Sequence, residues 1–140
     1  MKVKVIFQGR RRLHRDEQFL TRNGAQALAM TRDVLLVCSD TPVVYAHSVL
    51  QPGDRGAGLR LMKGMGSQPL GAALFTDPRI GRLMLRQRKL RSSHPLYRQA
   101  LLALGQASLG ATLWARRSLF LAGKSPILVT EVFLPGVLTI

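Results

Sequence analysis

The sequence is short of carboxylates, cysteines, aromatics and long apolar runs, and each shortage closes off a class of protein. A single cysteine, Cys38, cannot form an internal disulfide, and without a CxxC partner it offers neither a zinc knuckle nor a redox dithiol. Its neighbours Leu36 and Val37 mark it as an inert buried thiol. The three histidines, His14, His47 and His94, stand far apart along the chain and in no ligand spacing, so no metal site is expected. One Trp, two Tyr and five Phe are too few for the paired stacking platform of a single-strand binder, and no recognised nucleic-acid motif is present. No apolar run approaches the roughly 20 residues of a spanning helix. The opening Val3-Lys4-Val5-Ile6-Phe7 stops at Gln8-Gly9, unlike a secretory leader, and a cytoplasmic protein is expected.

What is present is apolar and basic. At 140 residues and 46% apolar, residues 1–140 suit one domain with a continuous core. Lys and Arg outnumber Asp and Glu by 21 to 7, a net charge of +14. Residues 1–32 hold eight basic and two acidic side chains, and residues 76–98 hold seven and one. Such a balance calls for an anionic partner. With no nucleic-acid motif, a small anionic ligand bound within an Arg-rich solvated surface is expected, not nucleic acid.

Residues 2–7 alternate as a strand, and Arg10-Arg11-Arg12 with the polar residues through Gly24 reads as a hairpin connection or a solvated edge. Ala27 to Cys38 and Val43 to Leu50 flank the turn residues Ser39-Asp40-Thr41-Pro42, an antiparallel hairpin. Pro52-Gly53-Asp54 with Gly56 and Gly58 reads as a loop. From Pro69 to about Gln106 the signals are helical: Pro69 resembles a first-turn residue, and Asp77-Pro78 an N-cap and first-turn proline followed by Ile80, Leu83 and Met84 on one face. A further helix from near Ser93 carries Tyr97, Leu101 and Leu104. Leu113 to Leu121 and Ile127 to Leu134 flank Gly123-Lys124-Ser125-Pro126 as a second hairpin, its last strand apolar on both faces as a central strand should be. The expected fold class is α+β, an antiparallel β-sheet of about five or six strands with a helical insertion covering one face.

Three blocks in order, Gln68-Pro69-Leu70-Gly71-Ala72-Ala73-Leu74-Phe75, Leu113-Trp114-Ala115-Arg116-Arg117-Ser118, and the run from Gly123-Lys124-Ser125-Pro126 through Thr130-Glu131-Val132 to Pro135, resemble the chorismate lyases. The segment Thr31-Arg32-Asp33-Val34-Leu35-Leu36 is similar to that family's arginine-bearing strand, and together the blocks span nearly the whole chain. The resemblance implies a single-domain antiparallel sheet with its ligand enclosed under helical flaps, and conversion of chorismate to 4-hydroxybenzoate and pyruvate, the first step toward ubiquinone. It implies no cofactor, no membrane span and action as a monomer. The chain departs from the family at its beginning, where relatives usually carry a further helical segment that helps to cover the pocket. Because the same fold serves as the ligand-sensing domain of winged-helix repressors, a non-catalytic small-molecule binder is the alternative expectation.

The resemblance also assigns roles. Arg32 is expected to grip the ring carboxylate with two parallel hydrogen bonds, as a guanidinium can and an ammonium cannot; the residues alone equally allow a structural pair near Asp33 or a snorkelled surface arginine. Leu70 and Gly71, just after Pro69, are expected to offer backbone N–H groups to the same carboxylate at a helix start. Arg116 and Arg117 point to opposite faces of their strand, so at most one faces the ligand, and Lys124 is expected at the surface. Glu131 is the only side-chain carboxylate in residues 78–140 and lies inside the most apolar strand. It must be neutralised, paired or used: either a buried pair with Arg116 or Arg117, or, as the resemblance implies, a substrate-binding acid at the hydroxyl end of the ring that donates a proton to the departing enolpyruvyl group.

Overall fold

Alternating side chains dictate most of the backbone. In the computed structural model, which describes residues 1–22 and 27–139, six strands form one antiparallel sheet: β1 (Lys2–Arg12), β2 (Leu28–Cys38), β3 (Thr41–Leu50), β4 (Ile80–Arg91), β5 (Thr112–Ala122) and β6 (Ser125–Phe133). Their order across the sheet is β1-β2-β3-β6-β5-β4, so the doubly apolar β6 is central and the cationic β1 and β4 are the edges. Both expected hairpins form. The β2–β3 turn places Ser39 and Asp40 at φ 48° and 64°, the left-handed pair that a two-residue connection requires.

Three α-helices, α1 (Ala57–Lys63), α2 (Leu70–Thr76) and α3 (Pro95–Leu104), pack on both faces, not on one as expected. On the front face Met62 of α1 and Leu70 and Leu74 of α2 meet Leu50, Phe120 and Ile127. On the rear face Leu96, Tyr97 and Ala100 of α3 meet Leu35, Tyr45, Leu113 and Val132. A smaller rear cluster, Leu13, Leu20, Ala29, Val49 and Leu128, lies beside a 3₁₀ helix over Arg15–Leu20. Each such large apolar side chain contributes on the order of 2 kcal/mol on leaving water.

Three further expectations are corrected. The residues after Asp77-Pro78 are not a helix: Asp77 caps the C-terminus of α2, its carboxylate turns to Arg79, and Ile80–Arg91 runs as strand β4 beside β5. The glycine-rich stretch after Pro52 is not all loop, because α1 starts at Ala57. Arg10, Arg11 and Arg12 extend β1 rather than opening the connection, which does join the antiparallel neighbours β1 and β2 as expected but carries the 3₁₀ helix, while residues 23–26 lie outside the described residues. The helix expected near Ser93 is α3, with His94 as N-cap accepting from the Leu96 N–H. Cys38 is half-buried. No helix among the described residues is long and apolar enough to cross a membrane.

Candidate active site

Strand alternation sends Arg32, Val34 and Leu36 of β2, Ala46 and Ser48 of β3, and Val129 and Glu131 of β6 to the front face. There they line a cavity of about 250 Å³ closed by Leu70, Gly71 and Phe75 of α2 and by Phe120 of β5. Wider grooves of about 510 and 540 Å³ lie elsewhere, the first lined in part by Arg10 and Arg55 and the second by Arg86 and Arg88. Volume does not choose among them; buried charge does.

Arg32 is 2% exposed. Its Nη1 donates to the Gln8 side-chain oxygen at 2.6 Å, and its Nη2 donates to the Gly66 and Gln68 carbonyls at 2.8 and 3.0 Å. All three acceptors are neutral. No carboxylate among the described residues pairs with it, and its Nε is buried without a partner. Burial lowers its pKa from the ordinary guanidinium value, but the group stays charged at neutral pH. A desolvated cation with no anion is costly unless a ligand supplies one. The fork is not free as expected, since three of its five donors are already engaged, leaving Nε and one N–H of Nη1. The alternative partner, Asp33, faces the other side of the sheet.

Leu70 and Gly71 line the same cavity at the start of α2, where the first backbone N–H groups have no intrahelical acceptor. Pro69 is the N-cap, one position earlier than expected. Glu131 stands on the cavity wall, its side chain 18% exposed, and also pairs with Arg116: Nε at 2.9 Å and Nη2 at 2.8 Å, both on Oε1. The paired and the cavity-lining readings of this carboxylate therefore hold together, and Oε2 takes part in neither contact. Arg116 is the arginine on the cavity side. Arg117 lies behind the sheet, donating to Thr130 Oγ1 and the Asp16 carbonyl. Lys124 is exposed in its turn.

By register Glu131 pairs with Ala46, which pairs with Val34, one inward-facing position along β2 from Arg32. Two strand spacings and two residues of rise separate the two Cα atoms by about 12 Å, so the charged groups stand at opposite ends of an apolar chamber. Ser48, opposite Arg32 on β3, and Gln8, opposite it on β1, escaped the sequence reading. Ser48 was findable once the β3 register was known; Gln8 needed the long-range β1–β2 pairing.

Behind the sheet lies a second buried polar cluster that sequence reasoning missed. His47 Nδ1 is 2.5 Å from Asp33 Oδ1 and its Nε2 is 2.7 Å from Glu17 Oε2. Tyr45 donates to Asp33 Oδ2 at 2.6 Å, and Arg11 lies 3.4 Å from the same oxygen. Burial alone would push the His47 pKa down, but hydrogen bonds to Asp33 and Glu17 and their charges prevail and raise it to about 9. The histidines thus lie far apart in sequence but adjacent in space, His14 stacking on His47 at 4.9 Å. His14, Glu17 and His47 have ligand atoms within 4.8 Å of one another. Rings only 6° from parallel aim their lone pairs in separate planes, and both His47 nitrogens face carboxylates. The group is built to hold a proton rather than to converge on a metal ion.

The model of the family described as chorismate lyase matches residues 1–139. A protein of Azoarcus sp. named probable chorismate pyruvate-lyase is 46% identical over 138 residues, covering 97% of this chain and 73% of the relative. One of the same name from Ralstonia nicotianae is 43% identical over 137 residues, covering 96% and 70%. Among solved structures, the C-terminal domain of the histidine utilization repressor from Pseudomonas syringae pv. tomato superposes with a TM-score of 0.64 at 12% identity, covering 96% of this chain and 91% of that one. PhnF from Mycobacterium smegmatis gives 0.62 at 12%, covering 96% and 58%. At those identities the structural likeness is one of fold, whereas the sequence matches are of another order. By its family model and by these relatives, the chain belongs to the chorismate lyase family.

Proposed function

We propose that the protein is a chorismate pyruvate-lyase that cleaves chorismate to 4-hydroxybenzoate and pyruvate without a cofactor. The observation that carries this reading is Arg32, a buried cation with no carboxylate partner among the described residues, on the wall of an apolar chamber with a glutamate at its far end. A planar ring with a carboxylate at one end and a hydroxyl at the other matches that polarity. The ring carboxylate takes the unpartnered Nε–H of Arg32 and the N–H groups of Leu70 and Gly71. The hydroxyl end and the enolpyruvyl ether then lie toward Glu131 and Arg116.

The reaction removes the hydrogen from the ring carbon bearing the hydroxyl and breaks the neighbouring ether bond, and the gain of aromaticity drives it. The protein supplies pose and charge. The enolpyruvyl carboxylate engages Arg116, loosening its hold on Glu131; the Glu131 carboxylate takes the ring-carbon proton on Oε2 and passes it to the departing oxygen, so that the leaving group departs as the neutral enol and tautomerises to pyruvate.

Incubation with chorismate, following 4-hydroxybenzoate by absorbance and pyruvate by a coupled assay, is expected to give the two in equal amounts and to be unaffected by chelator. Arg32→Lys is expected to weaken 4-hydroxybenzoate binding by about 10- to 100-fold, the equivalent of the roughly 1.5–3 kcal/mol of charge-assisted hydrogen bonding it removes. Tight binding without turnover would move the assignment to a ligand-sensing domain of the same fold. Binding unchanged by the Arg32 substitution would remove Arg32 from the site.

A further inference from the structure

Strand β4 is the free edge of the sheet beyond β5. It carries Arg82, Arg86, Arg88, Lys89 and Arg91 and no carboxylate. Cations on an edge strand are a common guard against strand-to-strand aggregation, and alone they would mean no more than that. The apolar residues beside them point the other way. Leu83 is 61% exposed, Leu85 48%, and Trp114, opposite Lys89 on β5, 54%. The Lys89 ammonium lies 5.1 Å from the indole centroid. An edge shaped only for water would not expose two leucines and the chain's single tryptophan along its length.

We infer that the β4 edge, with Trp114, is a docking surface for an anionic phospholipid bilayer. Each residue type has its task at such a boundary. Leucines enter the acyl region, an indole sits at headgroup depth, and long cationic side chains lie along the apolar surface with their heads among the phosphates. The net charge of +14 supplies the longer-range attraction. A nucleic acid would satisfy the arginines but leave both leucines unexplained, and the patch has one aromatic where a stacking surface needs several. A second copy of the chain would bring five like charges against five. Phe75, half-exposed, lines the cavity and lies under Arg82 at 4.6 Å, so the docked side carries the rim of the front cavity. The inference stands apart from the catalytic assignment and survives if the cavity proves only to bind.

The test is co-flotation of the whole protein with vesicles of phosphatidylcholine alone or with added phosphatidylglycerol, while tryptophan fluorescence reports on Trp114 alone. Expected are binding to the anionic vesicles only, weakening as salt rises, a blue shift, and quenching by brominated acyl chains. Replacing Arg88 and Lys89 with Gln should weaken binding about 25-fold, fivefold per cation removed, the equivalent of roughly 1 kcal/mol each. Leu83→Ser with Leu85→Ser should lose the binding while leaving chorismate turnover unchanged. These side chains are exposed, so the variants should fold; if either does not, the salt and quenching series on the parent decide. No flotation, or flotation with Trp114 fluorescence unmoved, overturns the inference. So do quenching of Trp114 by a single-stranded oligonucleotide without vesicle binding, which would assign the edge to nucleic acid, and sedimentation as a dimer with Trp114 buried.

Discussion

Glu131 stands between the Arg116 guanidinium and the front cavity. A lone carboxylate in the most apolar strand had to be paired or used, and the structure gives it both a cation and a cavity. Its meaning now turns on one substitution. Glutamine keeps the shape and the hydrogen-bonding capacity and removes the acid. Arg116, whose side chain is 32% exposed, can turn to water when it loses its partner, so the stability cost should stay below about 1 kcal/mol. Glu131→Gln is therefore expected to melt near the parent, to bind 4-hydroxybenzoate, and to lose turnover by about 10²- to 10⁴-fold, the span of one general acid. Parental activity would end the proton-transfer role; failure to fold would make the Arg116 pair structural. Arg32 was as legible as Glu131, being a cation in register with Val34 and Leu36. Its wrapping by Gln8, Gly66 and Gln68 was not, because those partners lie 24 to 36 residues away and only the closed fold brings them together.

At the scale of elements, both hairpins were legible because their turns and alternation agree, whereas β4 was misread for a reason that can be located. Its register slips between Arg82 and Met84 against β5. That bulge inserts one residue into the period of two, so Ile80, Leu83 and Met84 fall at the i, i+3, i+4 spacing of a helix. Only Leu90 of the strand is buried, so no run of core residues could correct the phase. Helix α1 was missed for the opposite reason. Gly58 looks like flexibility but marks close approach: a Cβ there would stand 3.0 Å from Ser125 Cβ and 3.1 Å from Leu50 Cδ2. Two effects compete in Gly58→Ala. Alanine favours a helix by about 1 kcal/mol over glycine, while forcing a methyl into a packed contact costs about 1–3 kcal/mol. Because one contact is to a strand Cβ that cannot swing away, packing should prevail. The variant is expected to unfold at lower urea with an unchanged m-value; a higher midpoint would show that α1 is loosely seated.

The whole molecule divides its scarce acids between two faces of one sheet. Of seven carboxylate side chains, Asp16, Glu17 and Asp33 lie in the rear network and Glu131 at the front cavity, which leaves the surface overwhelmingly basic. That network fastens the 3₁₀ helix to β2, β3, β5 and α3 through Glu17–His47, His47–Asp33, Asp16–Arg117 and Asp16–His94. It therefore makes stability depend on pH in a direction that can be worked out. The folded-state pKa of His47, about 9, stands above its ordinary 6.5, so its contribution is full below about 6.5 and is lost as pH rises through 9. The gap corresponds to about 3 kcal/mol. On the acid side the hydrogen bond from His94 holds Asp16 well below the usual carboxylate range, and Glu17 is lowered by His47 against its own burial. Their contributions are present above pH 4 and lost as pH falls. Self-repulsion predicts the opposite alkaline trend, because a chain of net charge +14 sheds positive charge as pH rises and should gain stability. The urea midpoint from pH 7 to 9.5 separates the two. It is expected to fall, and His47→Gln, which removes the cation between Asp33 and Glu17, should be several kcal/mol less stable at pH 7 and nearly flat over that range. A midpoint that climbs with pH in the parent would mean that His47 is neutral in the fold and that the rear network is held by hydrogen bonds without its charge.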